Sequence, residues 1–450
     1  MTDRALTVSE IIDQRPLSRF QISIIVFCGL VLVLDGFDTQ CIGFLAPSIA
    51  DTLGIPLRTF GPVFAAGLLG LMIAAMTAGP IADLWGRKWP IVLSTLTFAT
   101  FALLTARAKS FDQLVVFRFL TGLGLGGAMP NVVAVTSEYA PRRLLPALVT
   151  TLFCGMPLGA LLGGQVSSVM VPRWGWQSVF YVGGILPLAV SLVLIKSLPE
   201  SPRFLSVRGS GQLKIARILA RISPELATVP VDYLSTQGDR RKGMPIKHLF
   251  SEGRAKGTIL LWVPYFMNLL ILYFIVSWLP ALLRESGLPV SAGITAVSLF
   301  SLGGIFASLA QGRLMNGCGT SVILVTEFGL CMLFIGSLAF VVSYPLKMAV
   351  TFLLGYCVQG AQAGLNALAA SFYPTPIRST GVGWALGIGR LGSIVGPMLG
   401  GVLLSMGWPP RQIFLAGAVP ALCAVIAIIL NNRLRDNSTA YHPEPDPELV

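Results

Sequence analysis

Charge is what this 450-residue chain has least of: Asp, Glu, Lys and Arg make up 12% of it, against about 25% in soluble proteins. So few charges beside 54% hydrophobic residues, at a mean hydropathy of +0.76, cannot clothe a water-soluble surface. Histidine is scarcer still. His248 and His442 are the only two, and neither stands near metal ligands or a nucleophile. The seven cysteines are scattered, none at metal-ligand or redox spacing, and read as small buried residues. No Walker sequence occurs. Gly122-x-Gly124-x-Gly126-Gly127 follows no strand and precedes no Lys-Ser pair, so these glycines read as close helix packing. Metal, redox and ATP-driven chemistry are therefore not expected, nor is any cofactor, and nothing points to an enzyme.

What is present is a series of apolar runs of membrane-spanning length. They cover residues 21–46, 60–82, 89–106, 113–135, 144–170 and 178–198, then 258–283, 292–314, 322–342, 348–372, 381–406 and 413–430. The expected fold is all-α, a polytopic membrane protein of about twelve helices in two six-helix bundles. The expected divisions are an N-terminal segment at 1–20, bundles at 21–198 and 257–431, a central loop at 199–256 and a disordered tail at 432–450. The first run lacks a small-residue cleavage site and reads as a retained helix. The net charge of +12 falls mainly in alternate loops, including Arg87, Lys88, Arg142, Arg143 and the 199–256 stretch. By the positive-inside rule both termini and the central loop are cytoplasmic, in the cell inner membrane. That placement argues for membrane lipids and against nucleic acid as partners. Within the loop, residues 211–222 alternate Leu213, Ile215, Ile218 and Leu219 with Lys214, Arg217 and Arg221. This suits a surface helix on the inner leaflet or a solvated linker helix.

Charges inside the spans stand out. Asp35 and Asp38 lie in the first run, three residues apart and so on one helical face. An ionised carboxylate at the bilayer centre costs roughly 2.5–3.5 kcal/mol on insertion scales, so such residues line polar paths. Two acids together keep one protonatable near neutral pH, and the sequence does not say which. Arg390 falls about ten residues into the eleventh run, where its fork suits a carboxylate held bidentately, or an ion pair with Asp35 or Asp38. Arg118, two turns into the fourth run, is the other available cation. Phe37, Asn131, Gln359, Gln362, Asn366 and Trp384 are candidates to line a substrate cavity, with Asn268, Tyr265 and Tyr273 beside them.

The halves repeat at an offset of about 234 residues. Gly79-Pro-Ile-Ala-Asp83-Leu-Trp-Gly86-Arg87-Lys88 is echoed by Gly312-Arg-Leu-Met-Asn316-Gly-Cys-Gly319. Ser137-Glu-Tyr139-Ala-Pro141 is echoed by Ser371-Phe-Tyr373-Pro-Thr-Pro376, and Gly159-Ala-Leu-Leu-Gly163-Gly164 by Gly396-Pro-Met-Leu-Gly400-Gly401.

On these motifs the chain resembles the major facilitator superfamily over nearly its whole length. Gly79–Lys88 looks like the superfamily's loop motif, with Leu84 where an arginine is usual. Arg118-Phe-Leu-Thr-Gly122-Leu-Gly124 and Pro199-Glu200-Ser-Pro-Arg203-Phe are also similar to its motifs. Within the superfamily, Asp35-Gly-Phe-Asp38-Thr-Gln-Cys-Ile-Gly43-Phe-Leu-Ala-Pro47, Gly122-Leu-Gly-Leu-Gly-Gly-Ala-Met-Pro130-Asn131 and Leu386-Gly-Ile-Gly-Arg390-Leu-Gly resemble aromatic acid:proton symporters. The resemblance implies import of a small aromatic carboxylate, such as 4-hydroxybenzoate or benzoate, with protons and without ATP, by a single chain. It implies a proton-coupling role for Arg118 beside Asp35 and Asp38. It also implies a gating charge network of Asp83, Arg87, Glu138 and Arg143, with a weaker counterpart at Asn316 and Arg378. Export of an organic acid or drug by proton antiport, and sensing of aromatic acids, are the other readings.

Overall fold

In a computed structural model of the chain, the described residues are 12–13, 15–141, 143–201, 204–205, 212–222, 246–251, 254–373 and 377–439. Among them there is no strand, and 12 helices are long and apolar enough to cross a membrane. The protein is a multi-pass, all-helical membrane protein, as the apolar runs require. The reason is solvent chemistry: hydrocarbon offers no partner to a backbone N–H or C=O, and a helix satisfies its own.

The first helix, α1, runs Arg19–Leu53. Ser18 caps it by accepting from the Gln21 backbone, and the Gln21 side chain returns a bond to the Ser18 N–H. Gly54, at φ 65°, ends it. At 35 residues α1 is about 50 Å long, well beyond the hydrocarbon thickness, so it outruns the apolar stretch that announces it. There follow α2 (Gly61–Trp85), α3 (Lys88–Thr105) and α4 (Phe111–Tyr139). The fifth span is broken at Cys154 into α5 (Leu145–Phe153) and α6 (Gly155–Trp174). Pro157 explains the break, because its nitrogen cannot donate to the Phe153 carbonyl one turn back. Then come α7 (Gln177–Ser197), the short α8 (Gln212–Ile222), α9 (Ala255–Glu285), α10 (Val290–Cys318), α11 (Thr320–Leu338), α12 (Tyr344–Phe372), α13 (Arg378–Ser405) and α14 (Pro410–Thr439).

The chain forms two compact units, Met1–Lys242 with Leu279–Ser301, and Gly243–Trp278 with Leu302–Val450. In the first, α1 packs on α6, α2 on α4, and α3 on α4 and α7. The end of α9 and the start of α10 belong here too. Arg284 pairs with Asp51 at 2.8 Å and donates to the Pro47 carbonyl, and Ser301 donates to Gln40. In the second unit α11 packs between α12 and α14.

The repeat reappears as packing inside each unit, but at an offset of 233 that pairs Gly159 with Gly392, whereas the sequence frames set Gly159 against Gly396. The Val33 carbonyl of α1 lies where a Cβ on Gly159 of α6 would sit; in the second unit the Phe266 carbonyl of α9 does the same at Gly392 of α13. The Phe119 carbonyl meets Gly70, and the Phe352 carbonyl meets Gly303. Within each set the matching positions differ by 233, as in 159 and 392 or 70 and 303. Backbones this close leave no room for any side chain, the packing mode expected where lipid supplies no hydrophobic drive.

The apolar face of helix α8, expected on the inner leaflet or on a solvated linker, packs on protein instead. Ile215, Ile218, Leu219 and Ile222 are buried in one core with Ile12, Leu198 and Leu205, against Cys28 of α1 and Tyr139 of α4. Arg221 stacks on the Phe20 ring at 4.1 Å. Amphipathicity requires an apolar surface, and the first unit supplies one made of protein. Leu219→Ala is expected to cost the docked helix about 2–5 kcal/mol. In limited proteolysis, Arg217 and Arg221 should become open to trypsin while membrane insertion is unchanged.

Candidate functional site

In the first unit, α1 and α4 bring three of the expected residues together. Asp38 and Arg118 are buried, at 1% and 3% exposure. Arg118 Nη1 lies 3.0 Å from Asp38 Oδ2 and donates to Oδ1 at 3.2 Å, while Nη2 reaches the Asp38 carbonyl at 3.4 Å. The Phe180 ring of α7 lies 5.8 Å from the guanidinium. Asp35, one turn earlier and equally buried, accepts from the Thr39 hydroxyl at 2.9 Å. Asp38 thus faces a cation, while Asp35 has a hydroxyl of its own helix among its contacts. Low dielectric makes the Asp38–Arg118 attraction strong and the desolvation of each partner expensive.

Phe37 and Asn131, on the same two helices as that pair, make contacts of their own within the first unit. The Phe37 ring fills the space left by Gly163 on α6 and Gly183 on α7, the latter 3.1 Å from where a Cβ would be. Asn131 Nδ2 donates to the Gly127 carbonyl of its own helix at 2.8 Å.

In the second unit, α9 and α12 face each other through polar groups. Tyr265 donates to Asn366 Oδ1 at 2.9 Å, and Asn268 Nδ2 donates to Gln362 Oε1 at 3.0 Å. Asn268 Oδ1 is buried without a hydrogen-bond partner. Gln359 lies over Gly304 of α10, in the space a Cβ would take. Arg390, on α13 and half-buried, donates to the Tyr273 hydroxyl at 3.4 Å. Trp384, on the same helix, stacks on Trp262 at 6.2 Å, and Trp262 in turn meets Phe250 edge-on. The second unit therefore presents an arginine, phenols and carboxamides on three neighbouring helices. That donor and acceptor set can bind a carboxylate and ring hydroxyls.

Of the expected gating residues, Arg87 Nε lies 3.7 Å from Glu138 Oε1, and Arg143 donates to the Arg15 carbonyl at 3.1 Å. The side chains of Asp83, Asn316 and Arg378 lie outside the described residues. A further residue holds this end of the first unit. Glu200 Oε1 accepts from the backbone N–H groups of Arg87, Lys88 and Ser201, at 2.7, 3.2 and 2.9 Å. Gly86, at φ 87°, makes this possible, since a Cβ there would overlap the carboxylate. The anion sits at the N-terminus of α3, where unpaired N–H groups and the helix dipole favour it. Tyr139 donates to the Glu200 carbonyl and Gln21 to the Tyr139 carbonyl, linking α1, α4 and the end of α7. The sequence signal was available in Pro199-Glu200-Ser201-Pro202 following a span, with Gly86 as its distant counterpart.

Asp38→Asn strands the Arg118 charge, so the folded state should lose about 3–5 kcal/mol. Asp38→Asn combined with Arg118→Gln should recover most of it, measured as the thermal unfolding midpoint in detergent. Glu200→Ala leaves three N–H groups without their acceptor and should cost about 1–3 kcal/mol in the same assay.

Comparison with known proteins agrees with this architecture. Residues 28–346 and 295–448 match the Major Facilitator Superfamily. The chain is 41% identical to the 4-hydroxybenzoate transporter PcaK of Pseudomonas putida over 436 residues, 95% of this chain and 96% of that one. It is 39% identical to a gallate transporter of Pseudomonas putida over 440 residues, 97% of each chain. It is 33% identical to the benzoate transport protein of Acinetobacter baylyi over 453 residues, 98% of this chain and 95% of the other. With both its helices and its sequence accounted for in this way, the chain belongs to the major facilitator superfamily, a family of membrane transporters and not of enzymes.

Proposed function

We propose that the protein imports an aromatic carboxylate of the 4-hydroxybenzoate or benzoate kind together with protons, by alternating access. It acts as a single chain in the cell inner membrane, both termini cytoplasmic, with residues 21–198 and 257–431 as its six-helix bundles. The observation that carries the reading is the Asp38–Arg118 pair, a buried acid and base carried on two helices of membrane-spanning length. A structural role alone would be met at lower cost by apolar residues of similar volume. An acid beside a cation can exchange its charge for a proton: protonation of Asp38 releases Arg118, and deprotonation recaptures it.

The substrate class rests on two supports. The relatives' names give 4-hydroxybenzoate, gallate and benzoate, all of which share a benzoate carboxylate. The second unit offers Arg390 for that carboxylate, with Tyr273, Gln362 and Asn366 for ring substituents. Electrostatics then require the proton. Moving one negative charge inward against an interior-negative potential costs about 2.3 kcal/mol per 100 mV. One co-transported proton cancels that cost, and a second makes the potential a driving force.

Labelled 4-hydroxybenzoate should accumulate in proteoliposomes under an inward proton gradient and stop doing so with a protonophore. Asp38→Asn should abolish accumulation; a variant that accumulates fully would sink the coupling role. Arg390→Lys keeps the charge but loses the fork, and should raise KM about tenfold or more, equivalent to roughly 1.4 kcal/mol. If no benzoate-type acid is taken up with the gradient in either direction, the substrate assignment is wrong.

A further inference from the structure

Glu327, in the middle of α11, is a buried acid that the transport reading does not use. It sits where α10, α11 and α12 meet in the second unit. Gln311 Nε2 of α10 donates to Glu327 Oε2 at 3.1 Å. The other two oxygens, Glu327 Oε1 and Gln311 Oε1, are both buried and both without a hydrogen-bond partner. They lie together against Gly360 of α12, 2.5 and 3.0 Å from the position of a Cβ there. Among the described residues no lysine, arginine or histidine forms an ion pair with Glu327. The titratable groups around it are Cys331, one turn along α11, and Tyr356 and Cys357 on α12; α10 contributes only the neutral Gln311.

Two buried acceptor oxygens that face the same glycine and have no donor are satisfied together by one hydrogen shared between them. An ionised carboxylate has none to give. A carboxylic acid does: its O–H donates to the amide oxygen while the amide N–H donates to the other carboxyl oxygen. This reciprocal pair is satisfied whichever way the amide is turned, whereas the ionised form leaves an oxygen against an oxygen in either orientation. The repeat supplies a second argument. The first unit has the same niche 233 positions earlier, where Gly127 takes the place of Gly360 and Ser94 that of Glu327. There the Ser94 hydroxyl covers the glycine, so close helix packing at this point does not call for an acid.

We propose that Glu327 is a proton-binding site of the second unit, separate from the Asp38–Arg118 pair, and that it holds its proton in this conformation through the reciprocal pair with Gln311. The proton keeps α10 and α11 seated on α12, directly behind the helix that carries Gln359, Gln362 and Asn366.

Infrared difference spectroscopy on the purified full-length protein at pH 7 tests this. Subtracting E327Q from the wild type should show one protonated carboxyl stretch lost. Gln311→Leu should keep that band and move it to higher frequency, because the amide no longer donates to the carbonyl. Loss of ionised carboxylate bands in E327Q, with the protonated region unchanged, would overturn the proposal. If E327Q is not recovered folded, Gln311→Leu decides alone: a shifted protonated band supports the site and an unshifted spectrum overturns it.

Discussion

Hydrocarbon accepts no hydrogen bonds, and most of this structure follows from that. The backbone answers by forming helices throughout the described spans. The side chains answer by pairing across helices within a unit: Asp38 with Arg118, Tyr265 with Asn366, Asn268 with Gln362, Glu327 with Gln311. The outward-facing leucines, isoleucines and valines are left to lipid, which is why so many large apolar residues are exposed. Polar residues are thus confined to places where another polar residue, a substrate or a proton can meet them.

Helix contact in this medium relies on closeness, because water provides no push. Glycines supply it, and the positions that matter are shared between the halves: Gly159 and Gly392, Gly70 and Gly303. Duplicated packing around differing polar residues gives the two units distinct chemistry on a similar frame. The first carries an acid–base pair, and the second carries amides, phenols, a lone carboxyl niche and Arg390.

The spans and the repeat were legible in the sequence because twelve apolar runs and three repeated frames are long signals. Asp35, Asp38, Arg118 and Arg390 were legible because a charge in an apolar run has few explanations. Their pairing was not. Three-residue spacing places Asp35 and Asp38 on one face, but whether each meets the other, a hydroxyl or a guanidinium depends on α4, some 80 residues away. The packing of Phe37 was not legible either, because Gly163 and Gly183, against which its ring lies, are on other helices. For α8, the apolar face was evident but not which surface would cover it. Glu200 escaped because an acid just past a helix end resembles ordinary solvated charge until Gly86 is brought beside it.

Two of the ion pairs in the first unit are of opposite character. Asp38–Arg118 is sealed from solvent, whereas the side chains of Asp51 and Arg284 are 61% and 36% exposed. Dissolved ions screen charges over about 8 Å at physiological ionic strength, and they act on exposed pairs far more than on buried ones. The salinity of the surrounding medium therefore reaches the Asp51–Arg284 contact and leaves the buried pair untouched. Osmotic and ionic stress would loosen the link between α1 and the end of α9 without altering the charge balance in the membrane interior.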